Sequence, residues 1–395
     1  MNNNRQWQLP EGVEDFLPEA AAAKRALENK LLALFQGWGY QEVVTPTFEF
    51  VEVFQAGQAA GSQDVLYKFI DRQGRVLALR PEMTAPIARL VATRLKKERL
   101  PLRLCYSAAV FRYEDPARGR RREFHQAGVE LLGARGAGAD AEVVALAVES
   151  LLTAGLKDFR VGLGQVAVTK GVLADLDLIP EALARVKEAL VGKDWVRLGY
   201  LCDEYGLQGE ARSCLELLFT LRGGREALKA AGPILRMETA REPLAELEEV
   251  LEILERYGLG PYLFLDLGIL RDFDYYTGLV FEGYAAGLGF PVLGGGRYDG
   301  LLQEFGYPCP ATGFALGLER VLAAQGINGT SATTLTPAYL VAGSDAGAAL
   351  IRARKLRQAG ARVELAWHLS TEEEAAAEAT ARNLTLVWVT GGEEE

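Results

Sequence analysis

PLRLCYSAAVFRYEDPARGRRREFHQAGVELLG, residues 101–133, is the stretch whose reading decides the fold. Two runs rich in apolar and β-forming residues, PLRLCYSAAVFRYE and REFHQAGVELLG, flank the loop DPARGRRR (115–122). That pattern predicts two strands joined by a basic turn. On the second run Gln126 and Glu130 stand four residues apart, so they share one strand face, and His125 points to the other. Five arginines, Arg112, Arg118, Arg120, Arg121 and Arg122, fall within eleven residues. Guanidinium groups stay charged and offer planar paired donors, which suits a polyphosphate. A solvated basic loop gives the same spacing, and the residues alone leave both readings open.

Upstream, a helical period runs from Pro18 to Gln36 through Ala22, Leu27, Leu31, Leu34 and Phe35. YQEVVTPTFEF (40–50) reads as a strand interrupted by Pro46, and VLYKFID with RVLALR as a hairpin. A helix is predicted from Met83 to Glu98, with Pro86 in its first turn. Another is predicted from Asp140 to Leu152, with Asp140 as its cap. Between about 172 and 257 strand signals vanish and helical Leu/Ala/Glu/Arg patterns take over, as expected of a helical insertion. Strands return in YLFLDLGIL, DYYTGLVFEGYA and FPVLGGGRYDG, followed by a helix in GFALGLERVLAAQG. Residues 327–337, INGTSATTLTP, read as a linker, and 338–395 as a small α/β domain. The expected class is α+β: a mainly antiparallel sheet flanked by helices over 10–326, after a disordered stretch over 1–9.

Composition narrows the function. The chain has 395 residues and a formal net charge of −10, the reverse of the positive field of a general nucleic-acid binder. No apolar run is long enough for a membrane helix and no signal peptide is evident, which leads to an expected cytoplasmic location. Cys105, Cys202, Cys214 and Cys309 are scattered and only His125 and His368 accompany them, so neither a disulfide framework nor a metal site is expected. No GxxxxGK[ST], GxGxxG after the first strand, GxSxG or HExxH occurs. A bound nucleotide would therefore rest on arginines. No cofactor is expected.

Three further segments carry chemistry. RPEMT (80–84) and RDFDYYTG (271–278) supply Glu82, Thr84, Tyr275 and Tyr276. With Glu130, these carboxylates and hydroxyls suit an ammonium and an imidazole, although paired tyrosines in a strand also read as packing. Arg320 in GFALGLER is able to stack on a flat ring or meet a phosphate, or to be an ordinary surface arginine.

In this order the segments resemble histidyl-tRNA synthetases, from about Leu9 to Gln325. GYQEVVTPTFE (39–49) looks like the class II dimer-interface motif, FRYEDPARGRRREFHQAGVELLG (111–133) like the second class II motif, and GFALGLER (313–320) like the third. RPEMT and RDFDYYTG resemble the two histidine-specific segments. The resemblance implies a class II synthetase-like core. It implies a histidine pocket of Glu82, Thr84, Arg112, Gln126, Glu130, Arg271, Tyr275 and Tyr276. It also implies a vestigial ATP site of Arg112, Glu114, Arg122 and Arg320.

The sequence departs from the synthetases at three points: Met83 where the family has glycine, Ala117 within its loop, and Asp272 after the catalytic arginine. Met83 is expected to reshape or close part of the pocket. The tail from Ala338 carries six basic and nine acidic residues, with TEEE where the family has basic residues, and it is shorter than an anticodon-binding domain. RPEMTAPIARLVATRL with this tail resembles the regulatory-subunit family of ATP phosphoribosyltransferase. That resemblance implies no catalysis of its own, no tRNA, self-association as a dimer, and a short catalytic partner subunit. It further implies a part in the first step of histidine biosynthesis, with histidine as feedback effector. The alternative is an active histidyl-tRNA synthetase.

Overall fold

Leu27, Leu31 and Phe35 recur at helical spacing and are buried, and the first helix, α1 (Pro18–Gly37), closes on them at the expected place. A computed structural model describes residues 7–56, 63–114, 121–270, 274–326 and 338–390. The chain forms two compact units, Met1–Phe16 with Ala23–Thr330, and Leu17–Ala22 with Ser331–Glu395.

In the first unit, β1 (Gln41–Glu42) is followed by β2 (Phe48–Phe50), α2 (Val51–Gln55), β3 (Lys68–Ile70), β4 (Val76–Leu79) and α3 (Thr84–Leu90). Then come β5 (Leu102–Phe111), β6 (Glu123–Leu132), α4 (Ala137–Thr153) and β7 (Phe159–Gln165). Helices α5 (Val166–Ala174), α6 (Pro180–Val191), α7 (Trp195–Glu204) and α8 (Gly209–Thr220) follow. The two-residue β8 (Arg222–Gly223) separates them from α9 (Gly232–Arg236) and α10 (Arg241–Arg256). The unit ends in β9 (Leu263–Asp266), β10 (Leu279–Ala285), β11 (Leu293–Arg297), α11 (Leu301–Glu304), β12 (Ala311–Gly317) and α12 (Leu318–Ala324).

Nine strands form one sheet in the order β1-β5-β6-β12-β11-β10-β7-β9-β8. Its ladders are antiparallel except β1 with β5 and β7 with β9. The class is α+β, as expected. A second sheet, β2-β4-β3, packs separately on Val51, Phe54, Leu66, Ala78 and Ala85. Pro46 therefore does more than interrupt a strand: it lies between two strands that enter different sheets.

Four local readings are corrected. GFALG (313–317) is not helical but lies in strand β12, pairing Gly313 with Glu130; the helix begins only at Leu318. A Cβ at Gly313 would collide with the Glu130 carboxylate, so glycine is needed there for strand approach and has no helical role. Asp140 is no cap: α4 starts at Ala137, and Asp140 is buried in an ion pair with Arg297. The helix predicted from Met83 starts at Thr84 and passes at Val91–Leu95 into a π-helical turn. Strand β7, central to the sheet, was not anticipated from FRVGLGQ.

The second unit holds a parallel sheet, β14 (Val363–Leu365), β13 (Tyr339–Gly343) and β15 (Thr385–Val389), in that order. Helix α13 (Ala346–Gln358) packs on it through Ala349 and Ala353, and α14 (Glu372–Ala381) through Ala375 and Ala379. Glu372, Glu373 and Glu374 occupy the first turn of α14, where the helix dipole favours anions, and Glu374 completes a capping box with Thr371. Local helix physics is thus enough to place glutamates there.

Candidate functional site

Strands β6, β11 and β12 and the start of α3 enclose a cavity of about 120 Å³. Gln126 and Glu130 both line it, as their spacing on β6 requires, while His125 turns away to Lys24 (Nδ1–Nζ 2.7 Å). Glu82, Thr84, Tyr275 and Tyr276 join them. The structure thus brings together Glu82, Thr84, Arg112, Gln126, Glu130, Tyr275 and Tyr276. Arg271 and Asp272 lie outside the described residues.

Glu82 precedes α3 and caps it, accepting from the backbone N–H of Thr84 and of Ala85 (3.0 Å). Burial raises its pKa, and those donors oppose the rise. Thr84 Oγ1 donates to Glu130 Oε1 at 2.9 Å, and the Tyr298 hydroxyl donates to Oε2. Burial pushes the Glu130 carboxyl up to about 8, aided by the nearby charge of Glu82 and resisted by the Tyr298 and Thr84 hydrogen bonds. Two desolvated carboxylates on one small cavity favour a cationic occupant or a shared proton. The Gln126 Oε1 atom is buried there without a hydrogen-bond partner, an acceptor still to be satisfied.

Tyr298 was missed from the sequence. It follows β11 in GGGRYDG, where glycines and aspartate signal a turn, and its partner Glu130 lies 168 residues away. It stacks on Tyr275 with ring centroids 5.4 Å apart, and Tyr275 meets Tyr276 edge to face at 5.0 Å. Met83 is not among the residues that line the cavity; its side chain is 1% exposed and belongs to the buried cluster of Ile87, Val91, Leu104 and Tyr106.

A second cavity, about 160 Å³, shares Arg112, Phe124 and Arg320 with the first and adds Glu114, Arg121 and Phe290. Arg112 Nε donates to the Pro81 carbonyl (2.8 Å) and its guanidinium lies over Phe124. Arg320 Nη1 donates to the Pro291 carbonyl (2.8 Å), over Phe290. Arg122 is not brought into this cavity: it lies over Tyr113 and donates to the Glu114 carbonyl (3.1 Å). Arg121, absent from the expected set, takes its place and pairs with Glu14. Arg118 and Arg120 lie outside the described residues. Among the described residues no group of side chains has metal-ligand geometry, and all four cysteines are free and buried.

A family profile described as histidyl-tRNA synthetase matches residues 12–321. The ATP phosphoribosyltransferase regulatory subunit of Moorella thermoacetica is 64% identical over 98% of this chain and 100% of its own length. The chain belongs to that regulatory-subunit family. Within the family, a solved ATP phosphoribosyltransferase regulatory subunit/histidyl-tRNA synthetase from Bacillus halodurans superposes with a TM-score of 0.85 at 34% identity, covering 98% of this chain and 99% of that one. Histidyl-tRNA synthetase from Nostoc superposes with a TM-score of 0.79 at 23% identity, covering 98% and 92%, and shares the fold. ATP phosphoribosyltransferase regulatory subunits thus have the class II synthetase core, and in this member both cavities lie in that core.

Proposed function

We propose that the chain is the regulatory subunit of an ATP phosphoribosyltransferase, needed for the first step of histidine biosynthesis, and that it binds free histidine as feedback effector. The carrying observation is the cavity in which Glu82 and Glu130 are both buried beside the unpartnered Gln126 oxygen. An α-ammonium satisfies the carboxylates, an imidazole N–H satisfies the amide oxygen, and the stacked tyrosines suit a flat ring. Arg271 completes the set as a carboxylate partner. In this reading the subunit does no chemistry itself and works in the cytoplasm with a short catalytic subunit, without tRNA. Histidine acts by binding two assembly states unequally, for which a preference of about 1–3 kcal/mol is typical.

Self-association is assigned to the Gly39–Glu49 region. Val44 is 85% exposed there, and Phe48 pairs with Phe69 on an uncovered face of the small sheet. A dimer in sedimentation supports this; a monomer at micromolar concentration contradicts it.

The second reading, an active histidyl-tRNA synthetase, draws on the adjoining arginine cavity. ATP–pyrophosphate exchange with histidine separates the two. Exchange accompanied by tRNA charging overturns the regulatory reading. Its absence, with histidine-sensitive activity of the co-purified assembly, upholds it.

A further inference from the structure

Arg297 ends strand β11 immediately before Tyr298, and strand alternation sends the two side chains to opposite faces. Tyr298 reaches Glu130, whereas Arg297, 8% exposed, reaches α4. Its guanidinium forks onto the Asp140 carboxylate, Nη2 to Oδ1 at 2.8 Å and Nε to Oδ2 at 3.1 Å. Nη1 bridges to Asp299 Oδ1 (3.1 Å) and the Ala134 carbonyl (3.2 Å).

The backbone around this fork is tied to the cavity tyrosines. Thr277 N donates to the Arg297 carbonyl at 2.7 Å, and Asp299 N donates to Thr277 Oγ1 at 3.0 Å. Thr277 follows Tyr276 directly. Asp299 Oδ1 also accepts from Ala311 N on β12 (2.9 Å). A Cβ on Gly278 would sit 3.1 Å from the Arg297 side chain, so that backbone lies against it. The guanidinium thus ties α4 to Asp299, whose backbone N–H holds Thr277 and whose carboxylate holds β12, while the Arg297 carbonyl accepts from Thr277.

A buried ion pair is poor evidence of a stability role, because well-packed apolar residues commonly do as well or better. A geometric role explains it better: binding groups need placement within about 0.5 Å, secured by the residues behind them. We propose that Arg297, held by Asp140, is a positioning residue for the effector cavity. It fixes Tyr298 on Glu130 and Tyr275–Tyr276 beside it, and so sets the affinity for the bound amino acid. This rests on the histidine reading of the cavity.

The test is calorimetry with L-histidine on the full chain, comparing wild type, R297K, Y298F and R297K/Y298F across pH. Lysine keeps the charge and loses the fork. R297K is expected to weaken histidine binding about tenfold or more, as loss of supporting shells does elsewhere. It is also expected to raise the midpoint of the affinity–pH profile, because the Tyr298 hydrogen bond that favours ionised Glu130 is loosened. The other charged or titratable side chains lining the cavity, Glu82, Tyr106, Arg112, Tyr275, Tyr276 and Arg320, are unchanged in all variants. In the Y298F background R297K adds nothing if it acts through Tyr298.

Wild-type affinity and pH midpoint in R297K overturn the positioning role while leaving histidine binding intact, and fully additive effects overturn its route through Tyr298. Should R297K fail to fold, D140L/R297M replaces the clamp with apolar side chains, and retained affinity there overturns it equally. A wild-type chain that takes up no histidine overturns the effector reading beneath it.

Discussion

The two adjoining cavities share Arg112 and Arg320 but differ in their other charged side chains and in what supports them. In the first, Glu82 and Glu130 are carboxyl groups removed from water, held by α3, β6 and the Tyr298 hydroxyl. In the second, Arg112, Arg121 and Arg320 are cationic, and their visible partners are backbone carbonyls, aromatic faces and Glu14. A rigid desolvated wall discriminates between small ligands, since an unmatched buried charge is costly. A rim of arginines attracts any polyphosphate but discriminates little by itself. In the histidine reading, the contrast places sensing in the carboxylate cavity, and Arg121, which lines only the second cavity, can be altered at smaller expense to it.

The sharpest way to break this contrast is Glu130→Ala. Removing one member of a buried, hydrogen-bonded charged contact typically costs about 2–5 kcal/mol of binding. Histidine affinity in calorimetry is therefore expected to fall by about two orders of magnitude, and the inhibition of the assembly by histidine to fall with it.

Next is the pH dependence. The folded Glu130 carboxyl lies near 8, above its unfolded value, so its contribution to stability is complete at acidic pH and is lost as pH rises through 8. The ligand-free chain is expected to lose on the order of a few kcal/mol between pH 5 and 9 from this group. Urea midpoints measure it. Glu130→Gln should flatten the curve, and an equally steep curve in that variant contradicts the assignment.

Tyr298→Phe removes one hydroxyl and should weaken histidine binding by roughly 1 kcal/mol, severalfold in affinity. The smallest effect belongs to Arg121→Ala. Its pairing with Glu14 is partly solvent-exposed, of a kind contributing about 0–1 kcal/mol, so histidine affinity and unfolding midpoint should barely move. A large loss of histidine binding in that variant would erase the distinction between the cavities.

The sequence made the carboxylate wall readable where the chain repeats simply. A period of two on β6 was enough to put Gln126 and Glu130 on one face with His125 behind, and the two long runs around the arginine loop became β5 and β6. It failed where a distant partner overrides a local preference. Asp140 has every local quality of a helix cap, yet Arg297, 157 residues away, claims its carboxylate. GFALG has helix-compatible residues, but Glu130 and the neighbouring strands demand an extended glycine at 313. Strand β7 was hidden because Gly162 and Gly164 weaken its β signal. Their Cβ positions are filled by Phe264, Ile269 and the Asp266 carbonyl.

Everything depends on whether a free amino acid occupies the space between Glu82, Glu130 and Gln126. Titration calorimetry of the full chain with L-histidine, alone and with the catalytic subunit, tests this most directly. Saturable heat with one site per chain, strongly weakened in Glu130→Ala, is the predicted result. No heat in either preparation would contradict the account.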